Sequence, residues 1–124
     1  MKKLDWKRTE PPNFSSVPEK AGIYIISTRQ DNDHQFEVKY VGQADNLHSR
    51  ASEHWSKNEK NRELKDHIAH KYIMKFNYSE VESKQDRDGM ELYIYQIFDP
   101  PLNRNSPPGK IPVSCTVPGV RKHN

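Results

Sequence analysis

Three short apolar stretches stand out in a chain that is otherwise polar. Ala21–Ser27 (AGIYIIS) is nearly continuous and rich in isoleucine, the pattern of a strand buried on both faces. Phe36–Gly42 (FEVKYVG) sets Phe36, Val38 and Tyr40 against Glu37 and Lys39, the two-residue period of a half-exposed strand. The polar run Arg29–Gln35 between them reads as a hairpin loop, and Ile73–Val81 (IMKFNYSEV) alternates well enough for a third strand. Helical spacing fills the intervals. Asp45 or Asn46 can cap a helix running to about Trp55, with Leu47, Ala51 and Trp55 on one stripe. A second helix, about Asn61–Tyr72, aligns Leu64, Ile68 and Tyr72, and a third over Glu82–Phe98 stops at Pro100-Pro101. This order predicts an α+β domain, with a small antiparallel sheet of about three strands and helices packed on it.

Proline marks the boundaries. Three prolines lie at or before position 18, six lie at or after position 100, and none falls between. Because proline removes a backbone donor and interrupts helices and inner strands, the expected division is an irregular segment over 1–18, one domain over 19–105, and an irregular basic tail over 106–124. A length of 124 residues suits a single domain and leaves no room for a large two-domain cofactor cleft. The longest apolar run, about Ile23–Ile26, is far too short to span a bilayer, and no apolar stretch follows the N-terminal lysines. With Cys115 as the sole cysteine and no internal disulfide available, a reducing, cytoplasmic setting with no membrane association is expected.

The net charge of +3 becomes informative once it is placed along the chain. The C-terminal 21 residues carry Arg104, Lys110, Arg121 and Lys122 and no acid. Such a tail either contacts phosphates or is simply solvated. Lys75 extends this candidate footprint. Elsewhere, Lys57, Lys60, Arg62, Lys65 and Lys71 are interleaved with Glu59, Glu63 and Asp66, which suits a solvated helix as well as a nucleic-acid surface. His67 and His70 are three apart, but no third metal ligand lies near them in sequence, so a solvated helix face is the expectation.

Candidate chemistry gathers around the first two strands. Symmetrical pairing would set Gly22 opposite Gly42, Tyr24 opposite Tyr40 and Ile26 opposite Val38, with both phenols on one sheet face. Arg50 and His54 project together from the first helix, beside its apolar stripe. A cation and an imidazole half turned toward the core are costly to bury unless something anionic meets them, and Glu91 sits between Met90 and Leu92 on a helix otherwise turned inward. Two phenols, a guanidinium, an imidazole and a carboxylate suit phosphodiester cleavage. They offer a proton acceptor, a fixed cation for transition-state charge and a hard-metal ligand.

Gly22-Ile23-Tyr24 followed by Tyr40-Val41-Gly42 resembles the GIY-YIG nuclease family. The likeness continues through Gln43-Ala44-Asp45-Asn46-Leu47-His48-Ser49-Arg50, which is similar to that family's turn into a helix bearing a catalytic arginine. It extends to His54, to Glu91 within Met90-Glu91-Leu92-Tyr93-Ile94, and to Pro100-Pro101-Leu102-Asn103. It covers roughly residues 20–105. Fifteen residues separate Tyr24 from Tyr40, somewhat more than is usual in the family, and the Arg29–Gln35 loop is expected to absorb the excess.

The resemblance implies a DNA endonuclease using one divalent cation, Mg²⁺ or Mn²⁺, held by Glu91. Tyr24 would activate water with help from His54 or the metal, and Tyr40 would bond the phosphate or share that role. Arg50 would offset transition-state charge, while Gly22, Gly42 and Asn103 would brace the site. Duplex or branched DNA is the implied partner, with specificity supplied by the Arg29–Gln35 loop, by a second copy of the chain or by a separate protein. The alternatives are a catalytically inactive nucleic-acid-binding module of the same fold and a structural adaptor.

Overall fold

The computed structural model, which describes residues 1–120 and Lys122, runs β1 (Lys7–Thr9), β2 (Gly22–Arg29), β3 (Glu37–Ala44), α1 (Leu47–His54), α2 (Arg62–Ala69), β4 (Ile73–Glu80) and α3 (Lys84–Phe98). The strands form one antiparallel sheet in the order β1-β4-β2-β3, so the domain is α+β. The isoleucine-rich β2 lies inside the sheet and is buried from Gly22 to Thr28, as its continuous apolar pattern requires. Strand alternation then sends side chains to two separate cores. Tyr24, Ile26, Phe76 and Tyr78 pack with Leu47, Ala51 and Leu64 under α1 and α2. Ile23, Ile25, Val38 and Val41 pack with Met90, Ile94 and Phe98 of α3.

Capping residues set the helix starts. Asn46, Asn61 and Ser83 each accept a hydrogen bond from the backbone N–H three residues on. The second helix is shorter than its apolar stripe suggests, because His70 caps it and Lys71 takes a left-handed backbone (φ 58°). Tyr72 therefore leaves the stripe and stacks on His67 and His70. The third helix begins two residues later than expected, behind its Ser83 cap, and ends at a left-handed Asp99 before the proline pair.

Two differences from the sequence reading bear on the architecture. A fourth strand, β1, lies inside the segment expected to be irregular. Its sequence Lys-Arg-Thr carries no apolar alternation, and it pairs with β4 as a short charged edge, a form that resists further strand addition. The first hairpin is also displaced by two residues: Tyr24 pairs with Gly42 and Ile26 with Tyr40, and an irregularity after Ile26 then brings Ser27 opposite Val38. Up to Ile26 the two-residue displacement keeps side chains on their expected faces and the two tyrosines together, whereas beyond the irregularity Val38, expected on the face of Tyr40, turns to the α3 core.

Outside the helices and strands, the C-terminal segment is irregular yet docked. Val113 and Val117 pack on the α3 core, whereas Ile111 is exposed. Thr116 accepts from the Leu4 N–H through its Oγ1 and from the Trp6 indole through its carbonyl, which ties the two terminal segments together. Cys115 is buried among these residues, and burial pushes its thiol up to about 11, which makes it unreactive. Of the basic residues assigned to the footprint, Lys110 and Lys122 are exposed, Arg104 donates to the Lys60 carbonyl at 2.8 Å, and Arg121 lies outside the described residues. Lys75 is buried on the α3 face of the sheet and is not an open surface contact. No helix among the described residues is long and apolar enough to cross a membrane.

The outer edge of β3 is closed by side-chain mimicry of a strand. Asn103 Nδ2 donates to the Val41 carbonyl at 2.8 Å, its Oδ1 accepts from the Val41 N–H at 3.0 Å, and the Leu102 N–H donates to the Lys39 carbonyl at 2.9 Å. Asn103→Ala should leave both Val41 groups unpaired and cost about 1–3 kcal/mol in urea unfolding. Asn103→Asp should be intermediate, since it can accept from the N–H but cannot donate to the carbonyl. Full stability of the alanine variant would show that the clamp is dispensable.

Candidate active site

The site begins with a glycine. Gly42 stands opposite Tyr24, and a Cβ there would fall inside contact distance of the phenol ring, so the ring lies across the space that the missing side chain leaves. Tyr24 is thereby carried toward the β3 edge, sandwiched between Phe76 at 5.2 Å and Tyr40 at 6.2 Å between ring centroids. Gly22 serves a different approach, since a Cβ there would meet the Ser79 carbonyl and the Leu47 side chain.

Tyr24 is only 1% exposed, so its hydroxyl needs a partner. Its oxygen lies 2.6 Å from His54 Nε2, and His54 Nδ1 lies 2.5 Å from Glu59 Oε2. The other Glu59 oxygen accepts from the Asn61 N–H at 2.9 Å, so the carboxylate is fixed from both sides. Since a carboxylate only accepts, the proton between His54 and Glu59 belongs to Nδ1. Nε2 is then left to accept from the phenol. Glu59, His54 and Tyr24 thus form a buried chain of hydrogen bonds ending at the β3 edge.

Charges around the chain hold it in this form. Burial, and next the Arg50 guanidinium, lower His54 to about 4, against an opposing pull from Glu59. Arg50 itself bonds Glu53 at 2.8 Å and lies 4.0 Å from Glu59. Partial burial works against its charge, but Tyr24, Tyr40, Glu53 and Glu59 outweigh that and hold it protonated. Burial raises Tyr24 well above the usual phenol range and raises Tyr40 in the same direction, with Arg50 acting against both shifts.

Glu91 approaches from α3, close enough that its charge raises both phenols. It is buried, and burial lifts its carboxyl above the usual range. Gln43 orients it: the Gln43 amide nitrogen donates to Glu91 Oε1 at 3.0 Å and to Asp88 Oδ1 at 2.7 Å. The Gln43 oxygen meanwhile accepts from Lys84 and Arg87, which fixes the amide's orientation. Arg87 also bonds Asp45 at 2.9 Å and the Val81 and Glu82 carbonyls, pinning α3 to the turn before α1. Among the described residues no three His, Cys, Asp or Glu side chains converge. Glu91 nevertheless suits a hard cation, because its other oxygen has no hydrogen bond among the described residues and Mg²⁺ commonly binds through one or two carboxylates, completing its shell with water and phosphate.

Tyr24, Tyr40, Arg50 and His54 therefore come together beside Gly42 of β3, Asn103 braces the outer edge of that strand, and Glu91, from the α3 side, is near enough to act electrostatically on both phenols. Lys75, Lys110, Arg104 and Lys122 are not part of this group. Comparison with family models, with curated proteins and with solved structures returns no match to this chain. The sequence reading missed Glu59, Gln43 and Arg87. Glu59 lies in a run of alternating charge that resembles a solvated face, and its only clue is its position five residues after His54, just beyond the helix end. The histidine pair on α2 is engaged otherwise: His67 bonds Thr28, and His70 bonds the Asp66 carbonyl.

The lowered His54 carries a signature in stability. The folded protein excludes a proton that the unfolded chain accepts at the ordinary histidine value of 6.5. Stability is therefore fully present above that pH and declines as the pH falls toward about 4, by roughly 3 kcal/mol in all. Urea unfolding between pH 7 and 4 should show a steeper decline for the wild type than for His54→Gln. Parallel profiles would mean that His54 is not held neutral.

Proposed function

We propose that the chain is a divalent-metal-dependent endonuclease that hydrolyses DNA phosphodiester bonds at this site. The reading is carried by one observation, the buried hydrogen-bond chain from Glu59 through His54 to Tyr24. A phenol with a raised pKa is a poor base by itself, so an isolated Tyr24 has no evident way to take a proton from water. With His54 Nε2 at 2.6 Å, the phenol can pass its own proton inward as it accepts one from the attacking water. The imidazolium formed is stabilised by Glu59, as a carboxylate stabilises histidine in other proton relays.

The remaining residues supply charge and position. Arg50 is the permanent cation beside both phenols and offsets negative charge as the phosphorus becomes five-coordinate. Tyr40, stacked on Tyr24 and half-buried, is placed to donate to a phosphate oxygen. Glu91 would hold the cation, which supplies positive charge at the scissile phosphate and its leaving oxygen. Gln43 keeps the Glu91 carboxylate turned to the site, and Gly42 leaves the gap through which Tyr24 reaches the strand edge. DNA rather than another phosphodiester follows from the GIY-YIG resemblance.

Plasmid nicking tested with Mg²⁺, Mn²⁺ and EDTA addresses the reading directly. Cleavage should need the metal, and Glu91→Gln should abolish it while leaving fold and DNA affinity nearly unchanged. His54→Ala and Tyr24→Phe should each lower the rate by about 10²–10⁴. Glu59→Gln should lower it less and shift the acid limb of the pH–rate profile. If a folded Glu91→Gln variant cuts at the wild-type rate, or if metal adds nothing, the proposal fails. Metal-independent binding without cutting by the wild type would favour a binding module instead.

A further inference from the structure

The sheet carries a second polar cluster, on the face opposite Tyr24. Strand register places Ser27 opposite Lys75, Asn77 between Ile25 and Arg8, and Arg29 opposite Ile73, so the polar members share the face that α3 packs against. Among the described residues the cluster contains three cations, Arg8, Arg29 and Lys75, and no acid paired with them. Lys75 and Arg29 lie over the same Phe36 ring, at 4.4 and 4.5 Å from its centroid. Arg8, Arg29, Phe36 and Lys75 line one cavity of about 110 Å³, with Glu10 also on its wall. Among the described residues, none of the three cations forms an ion pair, Glu10 included, although Arg29 bonds the Asn32 amide.

Burial makes the cluster costly. Lys75 is only 8% exposed, and Ser27 and Asn77 are buried as well. Ser27 Oγ, Arg29 Nε and Asn77 Oδ1 are sealed from water and find no hydrogen-bond partner among the described residues. Native proteins rarely leave such groups unmatched without a reason, and here three stand together. Burial, followed by the charges of Arg8 and Arg29, pushes Lys75 down, as expected of like charges that lack a counterion. Cation–π contact with Phe36 offsets part of this cost but does not neutralise the charges.

We infer that this cluster is a binding site for a phosphate group, entered past the exposed Arg8 and separate from the nuclease-like site. A phosphate fits the cavity, where its oxygens can accept from the Arg8, Arg29 and Lys75 side chains that line it, and its negative charge offsets theirs. A phosphate of this kind is either free in solution or the terminal phosphate of a nucleic-acid strand. The inference is independent of whether the other site cuts DNA.

Titration calorimetry with inorganic phosphate, at ionic strength held constant with sodium chloride, tests the site. The wild type should bind one phosphate, Lys75→Met should bind at least tenfold more weakly, and Arg8→Ala should be weakened several-fold. Lys75→Met should melt no lower than wild type in phosphate-free buffer, because it removes a repelled charge. A short duplex with and without a 5′-phosphate, titrated in EDTA, separates the two sources. A Lys75-dependent gain from the 5′-phosphate assigns a strand terminus, and equal binding of the two duplexes beside Lys75-dependent phosphate binding assigns the free anion. Phosphate binding that is absent, or unchanged in both folded variants, overturns the inference.

Discussion

A phenol hydroxyl on a side chain this deeply buried needs a hydrogen-bond partner, and most of the active-site architecture follows from the one that Tyr24 finds. The ring is held between Phe76 and Tyr40 across the gap at Gly42, with its oxygen against His54 Nε2. For the phenol to donate there, Nε2 has to be unprotonated, so the other ring nitrogen carries the proton and needs an acceptor of its own. Glu59 meets the need at 2.5 Å from outside the helix, and the Asn61 cap of α2 in turn fixes Glu59. A demand made on the sheet is met by the loop between α1 and α2. Arg50 supplies the nearby positive charge that lets a carboxylate sit beside an unprotonated imidazole.

The second half of the site depends on a different kind of joint. Glu91 belongs to a helix on the other side of the sheet from α1, and a carboxylate there is useful only if the helix is indexed to the strand. Gln43, next to Gly42, does the indexing: its oxygen faces Lys84 and Arg87, and its nitrogen faces Asp88 and Glu91. Arg87 carries the same restraint to Asp45 at the entry to α1. One buried arginine and one amide thereby couple both helical layers to the strand carrying Tyr40 and Gly42.

The sequence was legible where side-chain period decides the outcome. The central strand, the face shared by Tyr24 and Tyr40, and the cap at Asn46 follow from local rules, and so does the stop at Pro100-Pro101. The hairpin register was not legible to the residue, because displacement by two leaves the hydrophobic pattern unchanged. What decides it is the packing of the Tyr24 ring over Gly42, a contact between strands with no periodic trace. Strand β1 escaped for the opposite reason: an edge strand of three polar residues is specified by its partner β4 rather than by its own sequence. Glu59 and Arg87 escaped because a charge buried by tertiary contacts looks, along the chain, like a charge in solvent.

The central claim is that His54 is a neutral imidazole holding its proton on Nδ1, so that Nε2 faces the Tyr24 phenol. Long-range proton–nitrogen correlation NMR on the uniformly ¹⁵N-labelled protein at pH 7 reports this tautomer directly. The account predicts a His54 ring with a protonated Nδ1 and an unprotonated Nε2, persisting as the pH is lowered below the ordinary histidine range. In Glu59→Gln that preference should weaken, since a neutral amide no longer fixes the Nδ1 proton. A His54 protonated on Nε2, or an imidazolium already formed at pH 7, would contradict it.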